Sequence, residues 1–437
     1  MTRTPKALGT PWSEPVAPPW TLRRLKDVAR VVNGFPFDSK AFDANGEHAL
    51  VRIRDLNSST TETRYNGPWV DAAAVDSGDV LIGMDGDFNV GTWRGGPALL
   101  NQRMCCVRGE TPLMSRYLRY VLPTPLKVAN DLTYYTTVKH LSALDVERFT
   151  VPVPPMSQLA TVVDFLDEQT ARIDALIAEK ERLNELLGEY RSSLISAAVT
   201  GQPIASLMPS SRATGKEAGC GGGEGDVGVT WPTTRLRYVA DLNPAVRADL
   251  LGAPDTEVSF LPMEAIGEDG SLKLDRVRPV SEVRNGYSYF EDGDVAFAKV
   301  TPCFENGKGA LMRNLVLGAG FGTSELTVLR PKGDTSSRFL NYVVQSQQFR
   351  QHGAGAMTGA GGLKRVPDEF TRDFKTPWPP RTEQERIANF LDEQTARIDA
   401  LREHVRAHIE RLREYRSSLI SAAVTGQLDL STFKAAA

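Results

Sequence analysis

Two blocks of this sequence occur twice. FLDEQTARIDAL runs from Phe165 to Leu176 and again from Phe390 to Leu401, and YRSSLISAAVTGQ runs from Tyr190 to Gln202 and again from Tyr415 to Gln427. Both pairs are 225 residues apart. Whatever the two blocks build together is therefore built twice, and any fold for the chain has to accommodate two equivalent copies.

Weaker echoes extend the duplication. The Trp20, Arg24-Leu25-Lys26 and Val28-Ala29 pattern returns at Trp231, Arg235-Leu236-Arg237 and Val239-Ala240, an offset of 211. SGDVLIGM at Ser77 answers DGDVAFAK at Asp292 (offset 215), and SRYLRYV at Ser115 answers SRFLNYV at Ser337 (offset 222). An offset that only rises is the mark of one unit copied and then lengthened by small insertions. The copies span roughly 20–202 and 231–427, joined by a Gly-, Ser- and Ala-rich stretch, 203–230, that reads as a flexible linker. The Pro-rich start, 1–19, reads as a disordered lead-in, and 428–437 as a short tail.

Within each copy the pattern changes once. Residues 20–153 and 231–378 mix short β-rich runs (VRIRDL, DVLIGM, VSFLPM, DVAFAK, LTVLRP) with a Ser-started helix near 115 or 337. Residues 154–202 and 379–427 each read as one long helix closed by Gly201 or Gly426. Apolar residues at Leu166, Ile173, Leu176, Leu183, Leu187, Tyr190 and Leu194 alternate steps of three and four, which predicts a coiled-coil seam; Leu391, Ile398, Leu401, Val405, Leu412, Tyr415 and Leu419 follow in the second copy. The expected fold class is α+β: two globular domains separated and joined by two long antiparallel coiled-coil helices, with pseudo-twofold internal duplication.

A seam alone does not explain the doubled letters, because Asp167, Glu168, Thr170, Arg172 and Asp174 lie mostly off it. Between the blocks, Ile177 to Glu189 matches Arg402 to Glu414 at only 3 of 13 positions. Identity sits at the helix ends. If the helices run antiparallel, each pole presents the start of one helix beside the end of the other, and the poles become the same composite surface. That arrangement suits one partner bound twice, with docking residues Asp167, Glu168, Arg172, Arg191 and Ile195 and their equivalents Asp392, Glu393, Arg397, Arg416 and Ile420. Ile195, Ala198 and Val199 read as apolar positions open to a partner helix.

Composition narrows the function. The chain is 41% hydrophobic and 24% charged, with net charge −3 and no apolar run long enough to span a bilayer. Residues 21–150 hold 16 basic against 15 acidic side chains and residues 231–376 hold 18 of each, so any nucleic-acid contact must be locally clustered or shared with a partner. Four cysteines fit neither a disulfide framework nor a zinc spacing, which points to a reducing cytoplasm. NLVLGAGFGT imitates a cofactor-binding glycine turn, but the first copy has GGPALLNQRM there and no adenine-holding tetrapeptide follows. Asp368, Asp373 and Lys375 imitate a nuclease metal site at too short a spacing. No catalytic residue, cofactor or metal is expected.

On these motifs, above all the doubled helical blocks, GDVLIGM…LLNQRM and GTSELTVLRP, the chain resembles the specificity subunit of a type I restriction–modification system. The resemblance implies a non-catalytic subunit with two target-recognition domains that read an asymmetric, bipartite double-stranded DNA site. It implies two docked modification subunits, which carry adenine-N6 methyltransferase chemistry, and restriction subunits joined through them, with no membrane. Base reading then needs bidentate donors. In the first copy these are Arg52, Arg54 and Asn57 with Asn101, Gln102 and Arg103; in the second, Lys299, Glu305, Asn306 and Lys308. The loops before the coils add Tyr134, Tyr135, Lys139 and His140, and Lys364 with Arg365. The alternatives are a self-contained methyltransferase or nuclease using the coil to dimerise, and a coiled-coil scaffold without nucleic acid.

Overall fold

The computed structural model describes residues 12, 14–132, 140–202, 231–360 and 362–433. The linker 203–230 lies outside them, as do most of the lead-in and the loop residues Tyr134, Tyr135 and Lys139. The chain divides into two compact units, one of residues 1–179 with 408–437 and one of residues 180–407. Each unit thus combines one mixed domain with the start of one long helix and the end of the other.

The two domains share a topology. In the first, Met104–Gly109 lies between Ala29–Asn33 and Val80–Gly83, with Val90–Thr92 outermost. In the second, Leu326–Pro331 lies between Ala240–Leu242 and Val295–Ala298, with Gly309–Leu311 outermost. A second sheet contains one parallel pair in each unit, Val51 opposite Leu100 and Leu261 opposite Gly322. A short antiparallel pair closes each domain, Thr21–Arg24 with Thr150–Val153 and Thr233–Arg235 with Lys375–Pro377.

The repeated GDV motif explains itself in this frame. Gly78 (φ +91°) and Gly293 (φ +94°) adopt the left-handed turn conformation that glycine tolerates. The next residue's carboxylate then meets the neighbouring strand: Asp79 pairs with Arg108 at 2.6 Å, and Asp294, almost fully buried, with Arg330 at 2.8 Å. The helix of the first copy begins earlier than its Ser115 suggested, at Pro112 after a Thr111 cap; that of the second begins at Ser337 after a Ser336 cap. The glycines of NLVLGAGFGT open no helix. Gly318 closes the short 3-10 turn Val316–Gly318, and Gly320 and Gly322 lie in the strand Ala319–Gly322, where a Cβ on Gly320 would stand 2.6 Å from the Phe290 ring.

The long helices are Met156–Val199 and Arg381–Val424, 44 residues each, about 66 Å at 1.5 Å per residue. Within the first unit Asp174 pairs with Arg416 at 2.7 Å, and Val424 accepts a hydrogen bond from Tyr117 beside Pro152, so the two segments run antiparallel. Within the second unit the equivalent pair, Asp399 with Arg191, closes at 3.1 Å. The seam is only partly covered. Leu166, Ile173, Leu194, Leu391, Ile398 and Val405 are buried, whereas Leu176, Tyr190, Leu401 and Tyr415 remain 45–57% exposed.

The lead-in is corrected in part. Trp12 is buried in the core of the first unit, Ala17 donates its backbone N–H to Thr425, and Trp20 lies against Gly426. The end of the second helix offers the Thr425 carbonyl and an apolar flank, which Ala17 and Trp20 meet. Leu428 and Leu430 of the tail pack on the same core, and Phe433 meets Phe165 edge to face. No described helix is long and apolar enough to cross a membrane.

Candidate nucleic-acid interface

In the first unit the strand His48–Val51 and the strand Ala98–Leu100 end side by side, because they are parallel neighbours. The turns that follow them therefore meet. Arg52, Arg54, Asn101, Gln102 and Arg103 line one cavity of about 610 Å³ together with Phe37 and Phe42. Arg54 donates to Thr63 Oγ1 at 2.7 Å, and Asn101 Oδ1 accepts from the Arg103 backbone N–H, which leaves the Gln102 side chain exposed between them. Asp85 extends this rim, 3.3 Å from Arg103 Nε and 2.7 Å from His140 Nδ1.

Asn57 does not join the group. It turns through the left-handed region (φ 66°), and its side-chain carbonyl accepts from the Thr92 backbone N–H at 3.0 Å, so it serves to tie a turn to a strand. Its place is a different cavity, lined also by Arg94 and Lys127.

In the second unit the run Lys299 to Lys308 is a tight loop anchored by Phe304, which is buried among Phe297, Phe349 and Gly353. Glu305 and Asn306 project from it into solvent. Lys308 does not: its ammonium turns inward and donates to the Met263 carbonyl at 3.2 Å, a correction to its expected role. Beside this loop stands a hairpin, Thr358–Ala360 with Leu363–Arg365. Thr301 and Lys364 exchange hydrogen bonds through the Thr301 N–H and hydroxyl, which brings Lys364 and Arg365 to the side of Lys299. Arg365 then forms a two-pronged pair with Glu325, Nε at 2.8 Å and Nη2 at 2.6 Å. The Arg365 hydrogen bond holds the Glu325 carboxyl below its usual range.

The doubled helical letters turn inward more than expected. Asp167 accepts from Tyr120 at 2.5 Å and Arg116 at 2.5 Å, and also pairs with Arg119. Asp392 accepts from Tyr342 at 2.6 Å and Arg338 at 2.8 Å. The SRYLRYV and SRFLNYV helices and the FLDEQT blocks are thus two halves of one internal joint. Ile195, expected to be open to a partner, is buried with Ala198 and Val199 against Leu236, Phe339 and Leu391 of its own unit, and Ile420 packs on the first unit's core. Arg191 and Arg416 are taken by Asp399 and Asp174. Of the expected docking residues, Arg172, Glu393 and Arg397 keep exposed side chains, paired only along their own helix, Arg172 with the mostly covered Glu168.

Asp368 and Asp373 are likewise structural, bound to Asn243 and to Arg235 and Arg237. Among the described residues no group of three or more His, Cys, Asp or Glu side chains is placed to hold a metal.

The architecture is that of a duplicated α+β protein in which each unit combines a mixed sheet domain with the start of one long helix and the end of the other. A solved chain described under the structural basis of complex assembly and conformational transition of the type I R-M system has this fold: TM-score 0.61, 17% identity, over 95% of this chain and 100% of that one. Residues 18–186 match the Type I restriction modification DNA specificity domain. It is 35% identical over 185 residues to the type I restriction enzyme EcoBI specificity subunit of Escherichia coli, covering 42% of this chain and 39% of that one. It is 41% identical over 160 residues to the EcoAI specificity subunit of the same organism, covering 36% and 26%. The matches therefore span less than half the length of these relatives.

Proposed function

We propose that this chain is the DNA sequence-specificity subunit of a type I restriction–modification complex, without catalytic activity of its own and working in the cytoplasm. Each unit reads one half of a bipartite, asymmetric target. One observation carries the reading: the same backbone is built twice, and its rim is furnished differently each time. Where the first copy has Arg52, Arg54, Asn101, Gln102 and Arg103, the parallel-strand register puts Pro262, Glu264, Thr323, Ser324 and Glu325 in the second. A duplicated scaffold with unlike rims suits two unlike half-sites. The near-zero charge balance of each domain suits a subunit whose partners supply much of the phosphate contact.

The doubled helical surface is the docking ground for two modification subunits, with restriction subunits joined through them. Leu176 and Tyr415 in the first unit, and Tyr190 and Leu401 in the second, are the large apolar side chains that the doubled blocks leave exposed.

The test is to express the full chain with the methyltransferase subunit of its own system in a host that lacks adenine methylation, and to sequence the methylated positions. A split motif that appears only when both chains are present is expected. Purified alone, the chain should neither methylate nor cut DNA; activity in such a sample would overturn the reading.

A further inference from the structure

The two units place equivalent backbone at one corner of the rim. Met84 N–H donates to Arg103 as Lys299 N–H donates to Glu325, and Leu141 N–H donates to Met84 as Val366 N–H donates to Lys299. Asp85 bridges His140 as Val300 bridges Arg365. Positions 85, 103 and 140 therefore correspond to 300, 325 and 365. The first unit fills them with Asp, Arg and His, joined through Asp85; the second fills them with Val, Glu and Arg, joined through Glu325. Charge at the 103/325 position is reversed.

We infer that Arg365 reads a guanine in the half-site of the second unit and that Glu325 is its positioning residue, an inference that rests on the function proposed above. The bidentate pair commits Nε and one hydrogen of Nη2. The outer edge of the guanidinium, Nη1 with the second Nη2 hydrogen, has no partner among the described residues, and the side chain is 45% exposed. That edge is a planar pair of donors, the complement of guanine O6 and N7. Two simpler roles fit less well. The hairpin is already fastened by the Thr301 to Lys364 and Val366 to Lys299 hydrogen bonds, and an exposed ion pair adds little stability. A phosphate contact would be weakened by the adjacent carboxylate, which neutralises the attraction that such a contact depends on. A carboxylate that fixes the guanidinium plane while cancelling its non-specific pull favours base reading. In the first unit the charges are reversed, with Arg103 Nε 3.3 Å from Asp85, so the two corners are not expected to select the same base.

The test compares methylated motifs from the full chain co-expressed with its methyltransferase subunit, as wild type, Arg365→Gln and Glu325→Gln. The expected result is loss of guanine preference at one base pair of one half-site, by about tenfold to a hundredfold for Arg365→Gln and less for Glu325→Gln. The other half-site stays unchanged, which also shows that the variant chain is folded. Uniformly weaker methylation at an unaltered motif would overturn the inference and leave the proposed function standing. An inactive Arg365→Gln together with an unaltered Glu325→Gln motif would overturn it as well. A wild-type pair that directs no split motif would overturn both.

Discussion

Asp167 shows what a doubled letter is for. Burial pushes its carboxyl up, but hydrogen bonds from Tyr120 and Arg116 and the charges of Arg119 and Arg116 outweigh that and hold it below the ordinary value of 3.8. A carboxylate with a depressed folded-state pKa contributes its full stability above the unfolded value, and loses it as pH falls through the folded value. The window here is therefore below about pH 3.8. Asp167→Asn should destabilise the first unit by about 1.5–3 kcal/mol at neutral pH, the range for a lost hydrogen bond to a charged group. The gap from wild type should close as pH drops through that window. Urea unfolding at neutral pH and at acid pH measures this; a gap that persists undiminished in acid would show that the joint does not depend on the Asp167 charge.

At the scale of the element, the long helices were the most legible part of the sequence. Their 3-and-4 spacing, glycine stops and doubled ends predicted two helices with antiparallel neighbours, and the Asp174–Arg416 and Asp399–Arg191 pairs realise that arrangement in each unit. What local spacing did not carry is which off-seam letters face inward. Ile195 looked free because no helical neighbour claims it; Phe339 and Leu391, far away in sequence, cover it. Likewise Asp85 and Glu325 gave no periodic signal, since their meaning comes from a cation brought alongside by strand pairing and a hairpin. The exposed Leu176, Tyr190, Leu401 and Tyr415 point to the opposite error, apolar residues assigned to the seam that the partner helix leaves uncovered. Leu176→Glu with Tyr415→Ser should leave the fold intact, because both side chains already meet water. Under the proposed function it should lower the number of bound methyltransferase subunits from two per chain to one. Native mass spectrometry of the purified complex reads the number directly, and two subunits still bound at saturation would remove these side chains from the docking surface.

At the scale of the molecule, each unit takes the start of one long helix and the end of the other, with the division falling after Glu179 and after Ala407. The stretch around that division matches between the copies at only 3 of 13 positions, against full identity in the blocks on either side, as expected if its length matters and its letters do not. Under the proposed function, helix length then sets the number of unread base pairs between the half-sites. Four residues inserted after Glu181 and four after Arg406 lengthen each helix by about 6 Å. At about 3.4 Å per base pair that displacement corresponds to one or two base pairs, with helix tilt favouring the smaller value. Four residues also make a little over one helical turn, so the seam is rotated only modestly, as in a coiled-coil stutter. Both ends of each helix keep their contacts with their own domain, including the Asp167 and Asp392 joints and the buried Ile195 cluster. The variant should therefore fold, bind its partners and recognise the same two half-sites, now one or two base pairs farther apart in the methylated motif. An active variant whose motif keeps the original spacer would show that the helices do not set the distance.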